Sequence, residues 1–153
     1  MKSWRSLTSE RAFKALRALP LWLAAAWWGS LTALSFFVVP MLFIYLPEPA
    51  MAGRMAAKLF SVQTTISVAC GLALLLIFRS KRAVVRVDTA QTATLFVVAG
   101  MLLALLVEFG VASRIMAHDN LALWHRVGSG MYLVQWLCAT VVLGKLVGAR
   151  LPD

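Results

Sequence analysis

Side chains that could handle a proton or a cation are grouped in the last third of the chain. Glu108 ends an apolar stretch, Arg114 lies in the polar loop that follows, and His125 opens the next apolar stretch. His125, Ser129 and Tyr132 are 4 and 3 residues apart, so they share one face of a helix. Ionisable groups beside hydrocarbon usually pair with one another or line a wet cavity. We therefore expect Glu108 to pair with Arg114 or His125 in one polar site, which Ser129 and Tyr132 complete.

Two interpretations of this polar site are open. In the first, it binds a proton or a cation and is open to the outside of the cell. In the second, it is structural, and its hydrogen bonds and charges hold together the outer end of a helix bundle. In either case we expect Glu108, His125 and Ser129 to converge.

A metal site is the weaker possibility. His118 and His125 are 7 residues apart, which is no recognised spacing for metal ligands. Met51 and Met55 map to the same outer half of the chain, and thioether together with imidazole is a ligand set that suits copper(I). Methionine is also a flexible packing residue in helix interfaces and loops, which accounts for both methionines without a metal.

Known catalytic motifs are absent from the sequence. It contains no nucleophile elbow, phosphate-binding loop, dinucleotide fingerprint or zinc-protease motif. The sequence therefore predicts no cofactor and no enzymatic activity, and an enzyme that acts on a lipid or a quinone is only a third possibility.

The composition places these residues in a membrane protein. Of the 153 residues, 61% are hydrophobic and only 14% are charged, and the mean hydropathy is +0.83. Such a chain has too little polar surface to cover a soluble globule. Its length suits one modest domain, and two cysteines make no disulfide framework. These numbers exclude a disordered tail, a disulfide scaffold and a soluble enzyme of two domains.

Four apolar stretches are long enough to cross a bilayer as helices. A span needs about 20 residues at a rise of about 1.5 Å per residue. The predicted spans are residues 21–46, 59–78, 89–108 and 126–146. The predicted fold class is an all-α membrane protein, a single domain built as a four-helix transmembrane bundle.

Two further short helices are expected outside the spans. Residues 1–19 contain an amphipathic stretch that predicts a short helix on the cytoplasmic surface, although a continuation of the first span up to Pro20 is equally compatible. Pro40 should kink the first span in its outer third. A stretch of small residues around Gly53 predicts a short outer-surface helix between spans 1 and 2. Gly29 lies in a second small-residue pattern that would allow close helix packing.

The basic residues are distributed unevenly between the two sides of the predicted bundle. Eleven of the 15 lie before span 1, between spans 2 and 3, or after span 4. By the positive-inside rule, both termini face the cytoplasm. The net charge of +9 is thus a topology signal and not a sign of nucleic-acid binding. The expected partners are the lipid bilayer, anionic lipids on its cytoplasmic face, and a homo-oligomer or a larger membrane complex.

The predicted topology can be tested with reporter fusions. A reporter fused at Asp153 and another inserted between Arg79 and Asp88 should both report a cytoplasmic location, because both positions belong to the side that carries the excess of basic residues. Two reporters are used at each position, one that is active only inside the cytoplasm and one that is active only outside it. Their activities in intact cells check the predicted location. A periplasmic signal at either position would refute the topology.

Several short elements of the sequence, in order, carry a resemblance to a known family. They are Trp28-Gly29, V-x-P-x-L-F at residues 38–43, Ala52-Gly53, Leu59-Phe60, and H-x-x-x-S at residues 125–129. Together they resemble the small four-helix family called domain of unknown function 4149, which is similar to animal transmembrane protein 205. The residues that the resemblance marks are Gly29, Pro40, Phe43, Gly53, Phe60, His125 and Ser129.

The resemblance implies a small protein of the bacterial inner membrane without an established enzymatic activity. A role in metal or drug efflux has been suggested for animal members of the family. We therefore expect transport or efflux of a cation, a metal or a small solute through an oligomer. The alternative is an accessory or assembly subunit of a larger membrane complex that transports nothing itself.

Overall fold

Long helices account for most of the chain in the computed structural model, which describes residues 4–80, 87–117 and 120–149. The elements in chain order are α1 (Trp4–Ala33), a π-helical turn (Leu34–Val38), α2 (Val39–Tyr45), α3 (Pro49–Arg79), α4 (Val87–Leu106), a second π-helical turn (Val107–Val111), α5 (Ala112–Met116) and α6 (Leu121–Gly148). The described ranges contain no strand.

Four helical segments are long and apolar enough to cross a membrane. They are Ala18–Tyr45, Pro49–Arg79, Ala90–Ile115 and Leu121–Gly148. The predicted fold class, an all-helical protein with four spans, is therefore confirmed. The structure carries the third span beyond the predicted boundary, because the helix continues through the second π-helical turn and α5 after the first charged residue, Glu108.

The structure joins each predicted short helix to the span that follows it. The N-terminal segment runs from Trp4 through Pro20 into α1 as one helix, so the continuation is correct and a separate helix on the membrane surface is wrong. No glycine lies between Ser9 and Pro20 to end the helix. The helix that carries Gly53 is likewise the first part of α3. It begins at Pro49, and proline at this position suits a helix start because its missing N–H would have no partner there.

The four spans pack as a square. α1 packs against α3 and α6, and α4 packs against the same two helices. α1 and α4 therefore lie on one diagonal of the bundle, and α3 and α6 on the other. One end of the bundle holds the short connection of residues 46–48 together with Glu108, and we call it the Glu108 end. The opposite end, where α3 finishes, is called the Arg79 end.

Each span turns one narrow stripe toward the bundle axis. Along α3 the buried residues are Ala52, Ala56, Gln63, Ser67, Gly71 and Leu74, which are separated by whole helical turns. The apolar core of the bundle is formed by Ala24, Trp27, Leu31, Leu74, Val97, Ala139, Val142 and Leu146. Small residues in this set let the helix backbones approach one another closely, as spans without a hydrophobic driving force between them require.

Close helix contact occurs at other glycines than the sequence suggests. At Gly29 and Gly53 an added Cβ would meet no atom within 4 Å, so neither allows a close approach within this chain. At Gly100 an added Cβ would come within 2.7 Å of the Trp27 indole. Because Gly100 has no side chain, Trp27 of α1 reaches across the diagonal of the bundle to α4.

The helix irregularity predicted around Pro40 takes the form of a π-helical turn. The turn covers Leu34–Val38, and Pro40 follows as one of the first residues of α2. Proline cannot donate a backbone hydrogen bond and its ring clashes with the preceding turn, so a regular α-helix cannot pass through it unchanged. The wider turn before Pro40 accommodates this. The bend itself stays a prediction.

Candidate functional site

Glu108 lies inside the third span. It is seven residues before the end of the span at Ile115, which corresponds to about 10 Å along a helix. Ala104 and Val111 are buried. Glu108 lies four residues after Ala104 and three before Val111, so it continues the inward face of this span. Its side chain is half-buried. An ionisable residue at such a position is costly and usually serves a function.

The partner of Glu108 is on the neighbouring span. The hydroxyl of Ser61, on α3, donates a hydrogen bond to Oε1 of Glu108. We call these two residues the Glu108–Ser61 pair. A carboxylate and a hydroxyl provide oxygen ligands, which suit a proton or a hard cation. The π-helical turn that contains Glu108 is a feature that recurs at functional sites.

The other residues of the predicted polar site make separate contacts. Arg114 lies over the Trp124 ring, with its guanidinium carbon 4.7 Å from the ring centroid. His125 and Ser129 are exposed at the start of α6. The hydrogen-bond partner that the structure gives Glu108 is Ser61, and the expected pairing with Arg114 or His125 stays a prediction.

Tyr132 faces α1 and α3. Its hydroxyl donates to the backbone carbonyl of Leu31 at 3.3 Å, and its ring packs edge-to-face on Phe60 with centroids 5.3 Å apart. Phe60 is one of the residues that the family resemblance marks, and this contact gives it a packing role. Two others, Pro40 and Phe43, are exposed on the first span.

Three of the four proposed metal ligands, Met51, Met55 and His125, lie in the described part of the chain. There, no group of three or more histidine, cysteine or acidic residues comes together. Met51 and Met55 are exposed near the start of α3, and His125 is exposed at the start of α6. His118 lies outside the described residues.

A second polar group, which sequence reasoning did not assemble, lies at mid-height of the bundle. Gln135 of α6 donates to the hydroxyl of Ser67 at 3.0 Å, across the diagonal between α6 and α3. Gln63 donates to the same hydroxyl at 3.4 Å and to that of Ser30, on α1, at 3.0 Å. Gln63, Ser67 and Gln135 are all buried. We call these four residues the glutamine crossbar.

The crossbar lies close to the middle of the spans. Gln63 is 14 residues from the start of Pro49–Arg79 and 16 from its end, and Gln135 is 14 and 13 residues from the ends of Leu121–Gly148. In a bilayer, polar groups at this depth have only one another as partners. The crossbar therefore ties three of the four spans together.

A reciprocal pair of hydrogen bonds joins the first span to the last. The indole of Trp28 donates to the hydroxyl of Thr140, and the indole of Trp136 donates to the hydroxyl of Thr32, both at 2.9 Å. Each threonine in turn donates to the carbonyl of the tryptophan four residues before it. The two indole rings lie 6.2 Å apart. We call this arrangement the Trp–Thr clasp.

The indole of Trp27 is the exception to this pattern of paired groups. Trp27 is fully buried, and its N–H is the one buried side-chain polar group in the described ranges without a hydrogen-bond partner. Leaving such a donor unpaired costs about 1–3 kcal/mol. A group of this kind in a native fold calls for an explanation, which is often a functional one.

Signals for the crossbar and the clasp were present in the sequence. Gln63 and Ser67 are polar residues of the second predicted span, and Gln135 is one of the fourth. The motif W-x-x-x-T occurs at residues 4–8, 28–32 and 136–140, and the last two occurrences lie one in each of the two spans that the clasp joins. A repeated polar pair at the spacing of one helical turn is the pattern that would have found it.

Comparisons with known proteins agree with the family resemblance. A family model described as Domain of unknown function (DUF4149) matches residues 22–123, two thirds of the chain. His125 and Ser129 lie just beyond this range. Neither the curated proteins nor the solved structures provide a match. The chain, a helical protein with four membrane spans, thus belongs to the family of domain of unknown function DUF4149.

Proposed function

We propose that this protein binds a proton or an alkali cation at the Glu108–Ser61 pair and moves it, or helps to move it, across the bacterial inner membrane. The observation that carries the proposal is the depth of Glu108, a half-buried carboxylate inside a span. In the proposed orientation both termini lie in the cytoplasm and the Glu108 end faces the outside. The proposal includes no enzymatic activity.

The chemistry of the site supports a hard ion as the substrate. Its two side chains offer oxygen atoms, and a carboxylate carries the negative charge that offsets a bound cation. Copper(I) prefers thioether, thiolate or imidazole ligands. A proton or an alkali cation therefore fits the Glu108–Ser61 pair better than a soft metal does.

The alternative is an accessory subunit that assembles a larger membrane complex. The glutamine crossbar and the Trp–Thr clasp favour it, because they connect the spans by closed sets of hydrogen bonds and hold the bundle as one rigid unit. Association into an oligomer stays a prediction under both proposals. Native purification that reports the mass and the co-purifying proteins distinguishes a homo-oligomer from a subunit of a larger complex.

Carbodiimide labelling tests the proposed ion site. Dicyclohexylcarbodiimide partitions into membranes and reacts with protonated carboxyl groups in apolar surroundings. We expect it to label Glu108, and we expect sodium or potassium ions to slow the reaction if an alkali cation occupies the site. If the substrate is a proton, rising pH alone should slow it. Mass spectrometry of the purified protein locates and quantifies the label.

Matched variants make this experiment specific. Glu108→Gln should remove the label, whereas Glu48→Gln should leave it unchanged, because Glu48 is exposed in the connection before α3. Ser61→Ala should weaken ion protection while the label persists, since it removes the hydroxyl that contacts the carboxylate. Absence of a label on Glu108, or a label that neither cations nor pH affect, would contradict an ion site. The accessory role would then be favoured.

A further inference from the structure

The outer side of α3 carries a row of small residues, one at each helical turn. Residues four apart lie above one another on a helix, so a row with this spacing is continuous along the helix. Every member of the row is exposed on the outside of the bundle. An added Cβ at Gly53 would meet no atom within 4 Å, so the space beside the row is open. We call the row the small-residue stripe; it consists of Gly53, Ala57, Ser61, Thr65 and Ala69.

The small-residue stripe contains the partner of Glu108. Ser61 is the middle residue of the stripe, and its hydroxyl donates to Oε1 of Glu108. Because Ser61 is exposed and Glu108 is half-buried, the Glu108–Ser61 pair lies at the outer surface of the bundle, where α3 and α4 meet. The bundle axis at mid-height is filled by the glutamine crossbar. A ligand therefore reaches the pair from the outer surface and not through the axis.

The Glu108–Ser61 pair is incomplete as a cation site. Its two side chains offer three oxygen atoms, one from the serine and two from the glutamate. A hard cation takes about six oxygen ligands, which is the number that two copies of the pair would offer. The surface around the pair belongs to a span, and in lipid polar groups on such a surface find no partners. The site therefore needs a cover that brings oxygen atoms of its own.

A second copy of this chain meets both requirements. Small residues spaced four apart let two helices approach closely in a membrane, where no hydrophobic force draws helices together. In a two-fold interface the same patch of each copy meets itself, so the middle of the patch faces its own counterpart. Contact along the small-residue stripe therefore places the two Ser61 side chains opposite each other, with a Glu108 beside each.

We infer that a second copy docks on the small-residue stripe and that the two Glu108–Ser61 pairs together hold one alkali cation. The inference rests on the proposed function and narrows its substrate from a proton or an alkali cation to the cation. Two carboxylates brought together repel each other unless a cation lies between them. Lys58, three residues before Ser61, is exposed, so water screens its charge. Cation binding and association of the copies therefore strengthen each other.

Cysteine cross-linking in native membranes tests the interface. The chain has two cysteines, so a protein with Cys70→Ala and Cys138→Ala has no thiol of its own. Thr65→Cys then places one thiol on the small-residue stripe, and Leu133→Cys places one on α6, at the opposite corner of the bundle. Both positions are exposed, and they lie 14 and 15 residues before the ends of their spans. They therefore match in depth and differ in the face that they present.

The rate of disulfide formation reports contact along the stripe. Two thiols within one dimer have a high effective concentration, so Thr65→Cys should cross-link at least about tenfold faster than Leu133→Cys. Ala57→Leu, added to Thr65→Cys, should lower the yield about tenfold, because the larger side chain prevents close approach. Gly144→Leu is its control, since it adds the same bulk on α6 where no atom lies within 4 Å. It should leave the yield unchanged.

The effect of cations connects the interface with the ion site. Sodium or potassium chloride is compared with choline chloride at equal ionic strength. The Thr65→Cys dimer should increase about tenfold when the alkali cation is at about ten times its dissociation constant. Glu108→Gln removes the charges that repel each other, so its dimer should form at the raised yield in all three salts. Glu48→Gln, a change in the exposed connection before α3, should behave like the parent.

The outcomes distinguish this inference from the proposed function. Equal yields from folded Thr65→Cys and Leu133→Cys proteins, or a product that joins Thr65→Cys to a different protein, would overturn a second copy at the stripe. A stripe dimer that no alkali cation strengthens would overturn the shared site. Carbodiimide labelling of Glu108 in the same membranes tests the proposed function separately. A cation-protected Glu108 without a stripe dimer refutes the inference and leaves the ion site intact.

Discussion

Replacing Leu74 with alanine is expected to lower the free energy of unfolding by about 2–5 kcal/mol. Leu74 is fully buried in the apolar core at the Arg79 end of the bundle. Lipid chains are as apolar as leucine, so its contribution comes mainly from close packing against the other spans. Truncation leaves a cavity whose walls lose their contacts. Unfolding of the purified protein by sodium dodecyl sulfate in mixed micelles measures the change.

Leu76→Ala is the matched control for this prediction. Leu76 lies two residues further along the same helix and is 71% exposed, against 0% for Leu74. Its truncation removes the same atoms from the lipid-facing surface and should change the stability by no more than about 0.5 kcal/mol. Equal effects of the two substitutions would mean that α3 does not turn Leu74 toward the bundle axis.

Breaking the Trp–Thr clasp should produce the second large effect. Thr32→Val and Thr140→Val preserve the shape of the side chain and remove the hydroxyl that accepts a hydrogen bond from an indole. Each leaves an indole N–H without its partner, which costs about 1–3 kcal/mol. Because the indole rings of Trp28 and Trp136 lie close together, the two substitutions should not be additive in a double-mutant cycle.

Thr65→Val is the control for the clasp. The Thr65 hydroxyl is exposed and donates only to the carbonyl of Ser61, on its own helix. Thr32 and Thr140 make the same kind of backbone bond, so the difference between the variants isolates the contact with the indole. A loss of stability in Thr65→Val as large as in Thr32→Val would show that the backbone bond accounts for the effect.

The number and type of the spans could be predicted because apolar length alone determines them. Each uncharged stretch was near the length that crosses a bilayer, and in a membrane such a stretch must become a helix. The ends of the helices could not be predicted in the same way. Glu108 ended the third uncharged stretch, yet the helix continues to Met116, because one charged residue does not break backbone hydrogen bonds. Pro20 likewise lies inside α1.

The site was only partly predictable, for a related reason. Glu108 stood out by its charge, but its partner, Ser61, is a common residue with no distinguishing spacing to it. Which residue of α3 meets Glu108 depends on how α3 and α4 are rotated about their axes, and the π-helical turn at Val107–Val111 changes that rotation. Neither is encoded in a local pattern. His125 is exposed at the start of α6, and the helical period alone does not say which face of that helix turns inward.

The Trp–Thr clasp also has a consequence for how the protein is made. Its two hydrogen bonds join residues 112 and 104 positions apart in the chain, in the first and the last span. Synthesis proceeds from the N-terminus, so Trp28 and Thr32 enter the membrane long before the ribosome reaches Trp136 and Thr140. Until then α1 and α4 lack the contacts that α6 makes with both of them. A copy whose synthesis stops early lacks these contacts. The indole N–H of Trp28 then has no Thr140 hydroxyl to bind, which distinguishes this copy, within the bilayer, from a finished one.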